Sequence, residues 1–270
     1  MRSEHIKLEK VDASNLRECG IGCLQNRQSQ GFQRKAEWLQ QRFKEGLRCL
    51  LIRDPDGRPL GFLEYVPGEY AWRPVEAAGW FFVHCLWVKS EGQKIGGLGS
   101  RLIQACVEEA RRADAIGVAA MVSDGPWMAG KEIFLKNGFQ VVGRADRFEM
   151  VVCRRKDGPE PRFRALACNQ SHSRGLQVVY CDQCPMLSKS VHDLAEVAAE
   201  HGLKVKISKL KSAREAQSAP AFYGVFSLLW NGCVLADHYV SRTRFKNILR
   251  QQILPCSRPG RRPSEQRGEE

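Results

Sequence analysis

The sequence predicts a two-part α/β protein, on three observations. Residues 1–155 alternate strand-like and helix-like periods in the mixed order βααβββαβαββ, residues 156–175 interrupt the pattern with proline, glycine and serine, and residues 176–256 resume it as βαβαββα. A chain of 270 residues is long enough for two cores. Residues 257–270 (SRPGRRPSEQRGEE) hold no aliphatic or aromatic side chain to bury and are expected to form a disordered tail.

The elements follow from local pattern. Ile6 to Val11 alternates as a strand, and Asp12 can cap a helix reaching about Arg27. A second helix is expected from about Gln33 to Glu45, with Trp38, Leu39 and Phe43 on one side. Leu47 to Arg53 and Pro59 to Val66 are apolar runs joined by Asp54-Pro55-Asp56-Gly57, which reads as a hairpin. The strand Gly79 to Val88 is followed by a glycine-rich turn and a helix from Leu98 to Arg112. A strand Val118 to Ser123, a short helix Ala129 to Asn137, and strands Gln140 to Val142 and Arg147 to Cys153 complete the first part. The second part reads as a strand Leu176 to Tyr180, a helix Met186 to His201, a strand Leu203 to Ile207 and a polar helix-like stretch. Strands Phe222 to Trp230 and Cys233 to Val240 then flank the hairpin dipeptide Asn231-Gly232, and a helix Arg242 to Gln252 closes the chain.

Composition narrows the function classes. With 43% hydrophobic and 27% charged residues, collagen, mucin and wholesale disorder are excluded. The apolar stretch Ala77 to Val88 is shorter than the roughly 18 residues of a membrane span and contains His84, and the N-terminus MRSEHIKLEKVD lacks the apolar region of a signal peptide. A cytoplasmic protein without membrane contact is therefore expected, its eleven cysteines serving as buried thiols, metal ligands or redox groups. The net charge of +12 is spread along the chain: residues 1–172 hold 27 basic against 21 acidic side chains, and residues 173–256 hold 11 against 6. That spread favours a solvated basic surface over a dedicated nucleic-acid module, leaving an anionic small molecule, a carrier protein or RNA as possible partners.

The segment HCLWVKSEGQKIGGLGSRLIQACVEEA places a buried strand, a polar turn, glycines and an amphipathic helix in succession. Glycine lets backbone approach a ligand closely, and the unpaired N–H groups of a helix N-terminus attract anions, so a pyrophosphate is the natural guest. A tight connection with no ligand is the plain alternative.

Lys94-Ile95-Gly96-Gly97-Leu98-Gly99, with Ser100 opening the helix, resembles the acyl-CoA-binding turn of the GNAT acetyltransferase family. Downstream, Phe134-Leu135-Lys136-Asn137-Gly138-Phe139 is similar to that family's Tyr-x-x-x-Gly-Phe. The resemblance implies a GNAT fold, acetyl-CoA or another acyl-CoA as donor, and an amine as acceptor. It also implies that the strand ahead of the glycine turn splays open and offers a backbone N–H to the thioester carbonyl, with Leu86 and Val88 as candidates. Two departures matter. Lys94 keeps a cation where the family has arginine or glutamine but lacks the arginine fork. Phe134 stands where many members carry a tyrosine that protonates the leaving thiolate, so water or another side chain must do so.

Candidate bases on the acceptor side are His84, Glu64 and Asp124. Each has a structural alternative: a hydrogen-bonded core histidine, a surface carboxylate, and a cap for the helix expected near Trp127. Covalent catalysis by Cys85 beside His84 is not expected, because neighbouring strand residues point to opposite faces unless a bulge intervenes. The segment PGEYAWRPVEAAGW can form an acceptor-side loop walled by Tyr70, Trp72 and Trp80, or an aromatic-stapled hairpin.

In the second part, Cys181-Asp182-Gln183-Cys184 precedes a helix within a βαβ start, and Pro220 precedes the third strand. The ordered set resembles the thioredoxin fold, and with the first part resembles GNAT proteins that carry a YoaP-like C-terminal domain. The resemblance implies Cys181 as an exposed low-pKa thiol, Cys184 as its resolving partner and Pro220 as a cis-proline. Cys168, His172, Cys181 and Cys184 also form a zinc-like ligand set, and an inert motif in a docking domain is the third reading. The expected function is an acyl-CoA-dependent N-acyltransferase acting on a small-molecule amine. The alternatives are a thiol-redox or heavy-metal-binding protein on a GNAT scaffold, and the same fold using a carrier-protein or aminoacyl-tRNA donor.

Overall fold

The computed structural model describes residues 6–89, 96–166 and 174–255. Strand β1 (Lys7–Val11) leads into a single helical turn, α1 (Leu16–Cys19), and not into a helix reaching Arg27. Glycine is the reason: Gly20 and Gly22 take φ values of +71° and +76°, which end the helix, and a Cβ on Gly22 would lie 3.1 Å from Phe62. Helix α2 (Gln30–Arg42) starts earlier than expected because the Ser29 hydroxyl accepts from the Phe32 N–H. Its buried residues, Lys35, Trp38, Leu39 and Arg42, fall at helical spacing and form one stripe.

The hairpin β2 (Arg48–Arg53) and β3 (Pro59–Pro67) forms as expected. Next come β4 (Val75–Glu76), β5 (Phe81–Val88), α3 (Leu98–Arg112), β6 (Gly117–Val122), α4 (Glu132–Leu135), β7 (Gln140–Ala145) and β8 (Phe148–Arg154). The remaining elements are β9 (Arg162–Phe163), β10 (Leu176–Tyr180), α5 (Leu187–Glu200), β11 (Val205–Lys209), α6 (Ala213–Gln217), β12 (Phe226–Trp230), β13 (Cys233–Ala236) and α7 (Arg242–Ile248). A π turn over Leu249–Ile253 follows α7.

Seven strands make one sheet in the order β1-β2-β3-β5-β6-β8-β7, in which β5 and β6 are parallel and the other neighbours antiparallel. A second sheet runs β11-β10-β12-β13, with β10 and β11 parallel. The short pair β4 and β9 was not legible in the sequence, since two residues carry no period.

Strand alternation sorts the large sheet's side chains onto two faces. Leu50, Ile52, Leu63, Tyr65, Val118 and Ala120 pack with Leu98, Leu102, Ile103, Cys106 and Ala110 of α3. Leu51, Phe62, Ala119 and Met121 belong to the opposite cluster, which takes in Trp38 and Leu39 of α2 and continues into Val178, Leu187, Tyr223 and Phe226. One apolar cluster therefore spans both parts of the chain, where the sequence suggested a separate core for each. The connecting segment is also anchored: β9 pairs with β4, and Trp80 Nε1 donates to the Pro159 carbonyl at 2.8 Å. No helix among the described residues is long and apolar enough to cross a membrane.

Candidate functional site

Where the two parts meet, they enclose a cavity of about 340 Å³, within the range of small-molecule sites. The first part contributes Lys35, Glu64, Arg73, His84, Cys85 and Leu86, and the second contributes Gln183, Cys184, Met186 and Tyr223. Apolar walls come from Phe62, Met121, Met128 and Phe134.

Glu64 is at the centre of the polar wall and fully buried, not a surface carboxylate. It lies on the same β3 face as Phe62 and Val66, which turns it toward α2 and the second part. Lys35 of α2 forms a buried ion pair with Oε2, Gln183 Nε2 donates to Oε1 at 3.0 Å, and His84 Nδ1 lies 3.4 Å from Oε1. Burial alone would raise the Glu64 pKa. The Lys35 ammonium and the contact with His84 outweigh it and hold the carboxyl down at about 2.

His84 is placed by a bulge. Glu64 pairs with Cys85 and Tyr65 with Val83, leaving His84 as the extra residue on β5. This is the exception that lets His84 and Cys85 line one cavity. The Trp72 N–H donates to His84 Nε2 at 2.9 Å, so Nε2 carries the lone pair and Nδ1 the proton that faces Glu64. Burial pushes the His84 pKa down to about 4 against the pull of Glu64. The imidazole is neutral with its acceptor nitrogen already used, which removes it as a free base. Burial also pushes the Cys85 thiol well up, against nucleophilic use.

The strand β5 splays as the resemblance implied. It pairs with β6 only where Phe81, Phe82 and Val83 meet Val118, Ala119 and Ala120. The Lys89 N–H donates to Leu60 on the β3 side at 2.8 Å, and N–H directions alternate along a strand. The N–H groups of Val88 and Leu86 consequently face the edge from which β6 has diverged. Leu86 lines the cavity; Val88 does not.

At the other end of that opening, Gly97 caps α3 with φ +82° and no side chain, and among the described residues no side chain caps the first-turn amides of the helix. Among the described residues, a Cβ on Gly96 or Gly97 would meet nothing within 4 Å, which leaves a cradle on that side of the turn. Gly99 serves differently: its Cβ would lie 3.3 Å from Ile133 and 3.6 Å from Val88, so glycine there lets the helix approach β5. Asn137 Nδ2 donates to Ser100 Oγ at 2.9 Å, which ties the glycine turn to the Phe134–Phe139 turn. A glycine cradle at a helix N-terminus that has no side-chain cap among the described residues fits the pyrophosphate of a CoA thioester. Lys94 lies outside the described residues.

Other expected residues are placed differently. Asp124 is exposed and neither lines the cavity nor caps α4, which begins only at Glu132 after Lys131. Trp72 and Trp80 are buried away from the cavity and Tyr70 is exposed, so the segment between β3 and β5 contributes Arg73 and no aromatic wall. Cys181 is fully buried, not exposed, and lies six positions before the first residue of α5. Burial pushes its thiol up to about 12 and raises that of Cys184, opposite to a reactive CxxC. Pro220 is not a cis-proline, as no cis peptide occurs among the described residues, and it lines a separate cleft. Cys168 and His172 lie outside the described residues, and no cluster suited to a metal occurs among those described.

Lys35, Arg73, Gln183 and Tyr223 were not singled out from the sequence. Only Lys35 carried a signal: at helical spacing with Trp38, Leu39 and Arg42, it is a charge on an apolar stripe.

Residues 17–125 match the family model described as "Acetyltransferase (GNAT) family". The chain is 27% identical over 220 residues to the "Uncharacterized N-acetyltransferase YoaP" of Bacillus subtilis, covering 80% of this chain and 86% of that protein. It is 30% identical over 107 residues to an L-methionine sulfoximine/L-methionine sulfone acetyltransferase of Pseudomonas aeruginosa, covering 40% of this chain and 59% of that one. Among solved structures, aminoglycoside 6'-acetyltransferase type Ii aligns at a TM-score of 0.42 and 17% identity, over 57% of this chain and 99% of that chain. The Thermoplasma acidophilum PaiA N-acetyltransferase in complex with coenzyme A aligns at 0.40 and 16%, over 56% and 99%. The matched segment contains the bulged and splayed strand and the glycine turn just described, and the chain carries a GNAT-family acetyltransferase domain.

Proposed function

We propose that the protein transfers an acyl group, by default acetyl, from a CoA thioester to an amine of a small molecule held in the cavity between its two parts. The reading rests on one observation above all: the cavity that encloses buried Glu64 is continuous with Leu86, beyond the point where β5 and β6 separate. In this reading the amides at Gly97–Ser100 hold the pyrophosphate and the N–H groups of Leu86 and Val88 face the thioester carbonyl. Glu64 accepts a hydrogen bond from the amine and keeps it beside the acyl carbon. The new N–C bond replaces the C–S bond, the amine's proton passes to water, and the CoA thiolate takes its proton from water because Phe134 has none to give.

The second part, residues 176–256, is read as a thioredoxin-like layer joined through 156–175 to the acyltransferase domain of residues 1–155. The strand order β11-β10-β12-β13 and the βαβ start support that reading. Its task here is to close the acceptor cavity through Gln183, Cys184 and Tyr223 and not to run thiol chemistry. Incubating the full chain with acetyl-CoA and a panel of amines, with free thiol followed continuously and products identified by mass spectrometry, tests the proposal. Amine-dependent thiol release with a matching mass increase is expected, and no release with any amine counts against it.

A further inference from the structure

The proposed transfer leaves one buried charge in the cavity without a task. Arg73 is 2% exposed and lines the cavity. Its Nη1 donates to the Trp72 carbonyl at 2.8 Å, its Nη2 to the His84 carbonyl at 3.2 Å, and its guanidinium lies 5.0 Å from the centre of the Tyr223 ring. Among the described residues no carboxylate pairs with it. The other cation on the wall, Lys35, is committed to Glu64, and His84 is held neutral by burial. Among the described residues the wall therefore carries two cations and one anion. A charge taken out of water is disfavoured unless an opposite charge meets it, and a guanidinium's planar fork matches a carboxylate.

Building on the acyltransferase reading, we infer that the acceptor is a free amino acid, its carboxylate bound by Arg73 and its amine placed at Glu64. His84 links the two anchors, since its carbonyl meets Arg73 and its Nδ1 faces Glu64. An α-amino acid carries amine and carboxylate on one carbon, so both ends find an opposite charge beside one residue. The side chain then meets Phe62, Met121, Met128 and Met186, which favours an apolar one. The ammonium gives one proton to water before its nitrogen attacks the acyl carbon, and the products are the N-acetyl amino acid, CoA thiol and that proton.

The test uses the full chain, acetyl-CoA, and free L-amino acids with apolar side chains, each paired with the amine that lacks only the carboxylate. Because the loss of a partner for a buried charged group is strongly discriminated, kcat/KM is expected to be at least about 100-fold higher for the amino acid than for its amine. Arg73→Lys keeps the charge but not the fork, and is expected to raise KM for the amino acid at least about tenfold with a smaller change in kcat. Its affinity for acetyl-CoA, measured by calorimetry, should stay at the wild-type value. Equal or better transfer to the carboxylate-free amines overturns the inference and leaves the acyltransferase reading standing. So does failure to acetylate any amino acid while other amines are acetylated. Failure to bind acetyl-CoA at all overturns that reading and the inference with it. The wild-type comparison decides the matter even if Arg73→Lys does not fold.

Discussion

Gln183, from the second part of the chain, donates a hydrogen bond to Glu64 of the acetyltransferase domain at 3.0 Å, and both side chains are buried. The two residues of the Cys-x-x-Cys motif that drew attention in the sequence are its cysteines. Its contribution to the cavity wall includes the glutamine between them.

Replacing Gln183 by leucine leaves Glu64 Oε1 without that donor in a buried site, at a cost of about 1–3 kcal/mol in stability. Acyl transfer is expected to fall at least about tenfold as Glu64 loses its fixed orientation. Urea denaturation and kcat/KM measured on the same preparation check this, and wild-type values for both would show the bond to be without consequence.

Gly97→Glu places a side chain where no described residue lies within 4 Å of the new Cβ, but its φ of +82° strains any L-residue by about 1–2 kcal/mol. The added carboxylate faces the proposed pyrophosphate cradle. Calorimetry should show acetyl-CoA affinity reduced at least about 100-fold, with the protein still folded by circular dichroism. Unchanged affinity would remove the turn from the donor site.

Thiol labelling separates a buried Cys-x-x-Cys from a reactive one. Cys181 has no exposed surface and its thiol is pushed up to about 12, whereas Cys233 is exposed. At neutral pH the smaller thiolate fraction alone slows Cys181 by about 1000-fold relative to an ordinary thiol. Time-resolved alkylation with peptide mapping should find Cys233 modified long before Cys181, and rapid labelling of Cys181 would restore the redox reading.

A chain ended near Arg155 loses Gln183 and also Tyr223 and Phe226, which belong to the apolar cluster around Trp38 and Trp72. It is expected to aggregate or to melt well below the full chain, because a large apolar face is exposed. A soluble fragment melting at the wild-type temperature would show that the first part is autonomous.

Acid should weaken the fold from an unusually high pH. His84 is held at about 4, below its unfolded value of 6.5, so as pH falls through 6.5 the unfolded chain takes up a proton that the folded chain refuses. Glu64, held at about 2, adds stability above pH 4.5 that is lost progressively below it. Between pH 7 and pH 5 the His84 contribution is on the order of 2 kcal/mol. His84→Gln should flatten the loss in that window, as read from denaturation midpoints against pH.

Period and punctuation determined much of this protein by themselves. Helix α3 spans the expected residues because its apolar positions repeat at helical spacing after a glycine that ends the preceding turn, and both are local facts. The same holds for the hairpin β2–β3 and for the glycine cradle. What only the tertiary structure decided was which polar groups meet. Glu64 was legible as a candidate, but Lys35 of α2 and the loop residues Arg73 and Gln183 reach its cavity from three separate segments, 29, 9 and 119 positions away in the chain. The bulge that places His84 beside Cys85 on one wall depends on pairing with β3, which a single strand's pattern does not encode. The burial that silences Cys181 likewise comes from the packing of two sheets, because a thiol's acidity is set by the medium around it and not by its neighbours in sequence.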